Sequence, residues 1–178
     1  MDKRKNKHIV YLSLGTNLGN KAKNIEDAKR LIKEHAGNIL NCSNIYKTEA
    51  WQMNEKTPVF YNIALALATE LSPHELLEVT QSIERKLGRK EKALNNEYKN
   101  RIIDIDILLM DNLILNTEKL TIPHPLMHKR NFVLYPLNEI AKDVIHPVFA
   151  KTINELKENS CDILNISTLK QTKKDKSC

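Results

Sequence analysis

The chain has 178 residues, of which 41% are hydrophobic and 28% charged, the balance of an ordinary soluble globular protein with length for one sizeable core. Its formal charge of +6 raises a nucleic-acid reading, but the excess sits at the two ends, where Lys3, Arg4, Lys5 and Lys7 face Asp2, and Lys170, Lys173, Lys174 and Lys176 face Asp175; the body between is neutral, which argues against a basic binding face. No apolar run is long enough to span a bilayer, Ile9–Leu14 is too short for a signal peptide, and Cys42, Cys161 and Cys178 show no C-x-x-C spacing, so a cytoplasmic protein with reduced thiols is expected.

His8 to Leu14 reads as a first strand. The cluster Gly15-Thr16-Asn17-Leu18-Gly19-Asn20 is a turn. It lacks the spacing of a phosphate-binding P-loop: three residues separate its glycines, and Lys21-Ala22 follows Asn20. A helix comes next, with Ile25, Ala28, Ile32 and His35 near helical spacing and Gly37 as its stop. Ile39 to Thr48 reads as a second strand and Val59 to Glu70 as a third. In the third, Phe60, Asn62, Ala64 and Ala66 share one face. Ser72-Pro73-His74-Glu75 predicts a helix start with a capping box, Leu76, Val79, Ile83 and Leu87 make its apolar stripe, and Gly88 ends it. Residues 89–100 are a polar, charged loop. Beyond the strand at 103–110 come a short strand pair within Leu113–Thr121, the rigid Ile122-Pro123-His124-Pro125 segment, and short helices near Met127–Arg130, Phe132–Ile140 and Asn154–Glu158. The order β-α-β-β-α-β over residues 8–110 predicts an α/β (α+β) fold of ferredoxin-like type, with a mainly antiparallel sheet, extra C-terminal strands and short helices. A doubly wound sheet is the alternative. Residues 1–166 are expected to form a single domain and 167–178 a disordered basic tail.

The strand Arg101-Ile-Ile-Asp-Ile-Asp-Ile-Leu-Leu-Met110 carries the chemistry. Ile103, Ile105 and Ile107 point one way, Asp104 and Asp106 the other. Aspartate is a poor strand former, and two carboxylates on one face repel unless a cation neutralises them. Hard oxygen ligands at this spacing suit Mg²⁺; a strand with one wet face is the plainer alternative. Basic Arg89, Lys92 and Arg101 flank the pair, and His124 and Arg130 follow. Phosphoryl transfer asks for this inventory. Taken singly, a histidine between prolines, a phenylalanine in a strand or a Gln81/Glu84 pair on a helix is an ordinary structural feature.

Together these residues resemble the 6-hydroxymethyl-7,8-dihydropterin pyrophosphokinase family. The resemblance runs from Tyr11-Leu-Ser-Leu-Gly-Thr-Asn-Leu-Gly19 through Tyr46-Lys-Thr-Glu-Ala-Trp51, Phe60-Tyr-Asn62, Gln81-Ser-Ile-Glu84 and Gly88-Arg89 to Arg101-Ile-Ile-Asp-Ile-Asp106, Ile122-Pro-His-Pro125 and Arg130-Asn-Phe132. It implies a ferredoxin-like fold and transfer of pyrophosphate from ATP to the pterin, with AMP leaving. It implies that Asp104 and Asp106 hold two Mg²⁺ ions, and that Arg89 and Arg101 are catalytic arginines at the ATP phosphates. By the same resemblance Gln81, Glu84, Lys92, His124 and Arg130 serve the nucleotide, and the backbone of Ile107 meets adenine. Phe60 and Phe132 sandwich the pterin, Thr48 and Asn62 read its edge, and backbone near Glu49 and Trp51 assists. The implied partners are ATP and the pterin, for a monomer acting without nucleic acid or membrane. The chain departs from the family pattern at Tyr98-Lys99-Asn100, where an aromatic-Gly-Pro usually precedes the arginine, at Pro125, and at Gln52. The competing classes are a ferredoxin-like module binding nucleic acid or protein, and a degenerate relative that binds pterin without turnover.

Overall fold

A computed structural model describes residues 7–49, 57–88 and 101–169. The elements run β1 (His8–Thr16), α1 (Lys21–His35), β2 (Asn38–Cys42), β3 (Ile45–Thr48), β4 (Phe60–Thr69), α2 (Pro73–Lys86), β5 (Asp104–Met110), β6 (Leu115–Asn116), β7 (Thr121–Ile122), a 3-10 turn (Met127–Lys129), α3 (Asn131–Ala141), β8 (Ile145–His146), β9 (Lys151–Thr152), α4 (Ile153–Glu158) and β10 (Ile166–Leu169). The main sheet has the order β10-β3-β4-β1-β5, with β2 also on β4. Every pairing in it is antiparallel. That is the ferredoxin-like arrangement expected from the order of elements, and it removes the doubly wound alternative, whose sheet is parallel.

Local chemistry explains the boundaries. Asn20 caps α1 by accepting the Lys23 N–H. Ser72 and Glu75 form the expected capping box on α2, with Pro73 in its first turn, and Gly88 follows at φ +98°, a conformation few other residues tolerate. The expected second strand is two, β2 and β3, and Ser43 is the reason. Its N–H donates to the Ala64 carbonyl at 3.0 Å, and its hydroxyl accepts the Ala64 N–H at 2.9 Å. A side chain thus replaces a backbone carbonyl in the ladder, and the strand is interrupted there. β10 takes in Ser167–Leu169, so the sheet runs into the segment expected to be tail. Cys161 is free, but Cys42 is disulfide-bonded, which corrects the expectation of reduced thiols; a pairing made through space leaves no short spacing to read.

The sheet separates two cores. Val10, Leu12 and Leu14 of β1, Ile63, Leu65 and Leu67 of β4, and Ile103, Ile105 and Ile107 pack with Ile25, Ile32, Leu76 and Ile83 of α1 and α2. On the other face Ala64, Leu108 and Leu109 pack with Val133, Leu134 and Leu137 of α3 and Ile153 and Leu156 of α4. A register shift against β1 between Tyr11 and Leu12 lets Leu108 and Leu109 reach this second core. β1 and β3 run towards one end of the sheet, and β4 and β5 start there, so the loops that follow β1 and β3 and the one that precedes β5 all open at that end.

Candidate active site

Strand register assembles the site at this end. Asp104 lies opposite Gly15, Gly15 opposite Asn62, and Asn62 opposite Tyr46. One row further in, Asp106 and Ala64 both face Ser13. One row further out, Phe60 faces Thr48, which faces Ile166. Residues directly opposite share a face, so both carboxylates lie on the α3 face with Phe60, Asn62 and Thr48. Gly15 sits between the two halves of this row. A Cβ there would come within 3.1 Å of Asn62 Oδ1, so the glycine leaves room for the amide. Asn62 is buried and donates from Nδ2 to Thr48 Oγ1 at 2.9 Å, which fixes its orientation.

Asp104 and Arg101 form a close ion pair and are both about one-fifth exposed, at 17% and 22%. Arg101 is held by its backbone as well. Its N–H donates to Asn17 Oδ1 at 2.7 Å, and its carbonyl accepts from the N–H groups of Asn17 and Leu18. Asn17 is 2% exposed and also donates from Nδ2 to the Pro58 carbonyl. Asn24 reaches from α1 to the carbonyls of Leu18 and Ile102. The glycine-bearing turn therefore ties the entry of β5 to the entry of β4. Sequence reading missed Asn17; a polar amide inside that turn was its only signal.

β5 is an edge strand of the sheet. Glu84, 3% exposed, accepts the Ile105 N–H at 2.8 Å. The His124 N–H donates to the Leu108 carbonyl at 2.9 Å. Backbone alternation turns the N–H and C=O of Ile107 to this same outer edge, while its side chain is in the core. Gln81 lies one turn before Glu84 on α2. His124 Nδ1 accepts the Leu126 N–H, so the neutral ring carries its hydrogen on Nε2. Burial, then the Arg130 charge, push its pKa down to about 4, against a smaller opposing pull from Asp104. A neutral imidazole donor is thus held within electrostatic reach of both. Arg130 is 8% exposed, caps the start of α3 and lies 5.7 Å from the Phe132 ring centre.

The fold brings Arg101, Asp104, Asp106, Gln81, Glu84, Ile107, His124 and Arg130 to the β5 side, and Thr48, Phe60, Asn62 and Phe132 to the β3–β4–α3 side. Glu49 follows β3 and is exposed. Trp51, Arg89 and Lys92 lie outside the described residues. The aspartate pair is an all-oxygen donor set with partial solvent access. It fits Mg²⁺ completed by water and phosphate oxygens, and among the described residues no group of three His, Cys, Asp or Glu forms a closed cage.

A ferredoxin-like sheet with Arg101, Asp104 and Asp106 at one end, and Thr48, Phe60 and Asn62 on the same face, carries the residue inventory that a phosphoryl-transfer class of protein asks for. The sequence pattern of 7,8-dihydro-6-hydroxymethylpterin-pyrophosphokinase (HPPK) matches residues 11–142, and the chain belongs to that family. It is 41% identical over 140 residues to the 2-amino-4-hydroxy-6-hydroxymethyldihydropteridine pyrophosphokinase of Porphyromonas gingivalis, covering 78% of this chain and 94% of the relative. For the enzyme of the same name from Aquifex aeolicus the identity is 39% over 162 residues, covering 88% and 98%. The folic acid synthesis protein FOL1 of Dictyostelium discoideum is 43% identical over 153 residues, but these cover 85% of this chain and only 22% of the relative. Among solved structures, wild-type HPPK-DHPS of Plasmodium falciparum superposes with a TM-score of 0.69 at 18% identity, covering 88% of this chain and 44% of the other; this likeness concerns the fold alone. No helix among the described residues is long and apolar enough to cross a membrane.

Proposed function

We propose that the chain transfers the pyrophosphoryl group of ATP to 6-hydroxymethyl-7,8-dihydropterin in folate biosynthesis, a reading supported by the pyrophosphokinase and folic acid synthesis names of its relatives. The hydroxymethyl oxygen bonds to the β-phosphorus, the bridge to the α-phosphate breaks, AMP departs with the electron pair, and the hydroxyl proton is released. The observation that carries this reading is the row Asp104–Gly15–Asn62, with Thr48 and Phe60 beside it. That row puts a carboxylate, an oriented amide and an aromatic ring on one face of one sheet, which supports phosphate chemistry beside recognition of a flat, amide-rich ring.

Phe60 and Phe132 stack on the pterin, and Asn62, oriented by Thr48, reads its edge, with backbone near Glu49 and Trp51 assisting. Arg101 and Arg89 offset charge on the phosphates. His124 donates from Nε2, and Arg130, Gln81, Glu84, Lys92 and the Ile107 backbone position the nucleotide. Asp104 and Asp106 would hold two Mg²⁺ ions, which when bound neutralise the triphosphate and acidify the attacking hydroxyl. The chain acts as a monomer in the cytoplasm.

The test is one reaction: purified protein, ATP, Mg²⁺ and the pterin, with products separated by chromatography. AMP and pterin diphosphate in equal amounts are expected. ADP in place of AMP would mean γ-phosphoryl transfer and refute the reading. Pterin binding with no product would identify a degenerate relative.

A further inference from the structure

We propose that Asp162 is a positioning residue for the pterin half of the site, acting as a remote cap on α3. This inference rests on the function proposed above and extends it to a segment beyond the residues matched by the family pattern, 11–142.

Helix α3 starts badly by its own sequence. Its cap is Arg130, which makes no side-chain capping bond, and its first turn holds no acidic residue. Arginine is a poor N-cap, and a cation at a helix N-terminus opposes the dipole. Yet this turn carries both Arg130 and Phe132, so the site needs it ordered. Asp162 supplies what is missing. Its Oδ2 accepts the Asn131 N–H at 2.7 Å, which satisfies one of the first-turn donors that have no partner within the helix. Its carbonyl accepts from Asn131 Nδ2, also at 2.7 Å. The carboxylate places negative charge at the dipole's positive end.

The other carboxylate oxygen, Oδ1, accepts the Leu164 N–H at 3.0 Å. From there the chain runs into β10, where Ile166 lies opposite Thr48 of β3. One short segment is thus fastened at one end to the helix bearing Phe132. At the other it is fastened to the strand whose Thr48 orients Asn62 and faces Phe60. Asp162 sets the spacing of the two walls between which the pterin would stack.

The experiment is a fluorescence titration of wild type, Asp162→Ala, Asp162→Asn and Ile153→Val with 6-hydroxymethyl-7,8-dihydropterin, alongside kcat and both KM values. Ile153→Val thins the core beneath α3 and leaves the hydrogen bonds between Asp162 and the helix start in place. Asp162→Ala is expected to weaken pterin binding by roughly tenfold, the scale of a lost cap, with a smaller change in kcat. Asp162→Asn, which keeps one acceptor oxygen, falls between alanine and wild type. Ile153→Val leaves pterin binding unchanged at a matched loss of thermal stability. Wild-type binding with Asp162→Ala within twofold of it, or an equal shift in Ile153→Val, overturns the positioning role and leaves the proposed function standing. Absence of pterin binding by the folded wild type overturns the function itself, and this inference with it.

Discussion

The two faces of the main sheet are made of alternate residues of the same strands, and they differ in almost every physical respect. The face towards α1 and α2 is aliphatic from Val10 to Leu14 on β1 and from Ile63 to Leu67 on β4. The face towards α3 is aliphatic only where α3 and α4 cover it. Beyond them it becomes Ser13, Gly15, Asn62, Thr48, Asp104 and Asp106. Burial stabilises the first face, and on the second, polar groups are held ready by one another. Parity alone keeps the two apart: a one-residue slip of β5 would bury the carboxylates and expose the isoleucines. A substitution on the aliphatic face should therefore cost stability with little effect on chemistry, and one on the polar face should do the reverse.

The largest break in this comparison is Asp104→Asn. It removes a charge beside Arg101 on the polar face, and AMP formation should fall on the order of 10³-fold, as for the loss of one preorganised electrostatic contact. The melting temperature should stay within a few degrees of wild type. Near-normal turnover would remove the carboxylate pair from the mechanism. The mirror experiment is Leu65→Ala. Leu65 is fully buried on the aliphatic face, and the change should lower unfolding free energy by about 2–5 kcal/mol, read from urea titration. Both KM values should hold at temperatures where the variant is folded.

This asymmetry also decides what could be read without the structure. Period-two patterns and capping boxes are local, so the parity of Asp104 and Asp106, the face of Phe60 and Asn62, and the limits of α2 were legible directly. The order of elements was enough for the ferredoxin-like sheet. Partners met through space left no such trace. Glu84 reads as one residue of a solvated helix face, but an unpaired N–H at the edge of β5 draws it inside. Ile39–Thr48 reads as one strand because nothing local shows that the Ser43 hydroxyl will stand in for a carbonyl of the ladder. Asn17 and Asp162 each serve backbone groups 84 and 31 residues away, and no periodicity encodes that.

His124 sharpens the comparison through pH. Its pKa in the folded protein is about 4, lowered from 6.5 first by burial and then by Arg130, with Asp104 opposing. As pH falls below 6.5, the unfolded chain takes up a proton that the folded ring refuses until about 4. Stability contributed by the neutral ring is thus complete above 6.5 and is lost on acidification towards 4. Between pH 7 and pH 5 wild type should lose about 2 kcal/mol more than His124→Gln, measured as paired urea midpoints. Burial and charge lower the pKa of His128 and His146 too, so only the difference between the two proteins isolates His124. Parallel curves would mean that the ring is solvated.

The smallest expected effect tests whether α3 is fastened to the polar face at one point or two. Glu139, further along the helix, accepts from Asn44 Nδ2 at 2.7 Å, from the Asn44 N–H at 3.0 Å and from the Tyr46 hydroxyl at 3.0 Å. Burial, then the Glu139 charge and this hydrogen bond, raise the Tyr46 pKa to about 12. A raised phenol pKa adds stability that is complete below the ordinary value and lost as pH climbs through the folded one. Glu139→Gln should bring the Tyr46 titration, followed by ultraviolet absorbance, down towards 10. It should cost about 1 kcal/mol of stability at neutral pH. Pterin KM should change by less than about twofold, because Asp162 still fixes the first turn, where Arg130 and Phe132 lie, whereas Glu139 holds only the helix's later turns. A tenfold rise in KM would instead place control of the pterin walls at the Glu139 clamp and make the cap at Asp162 the lesser of the two.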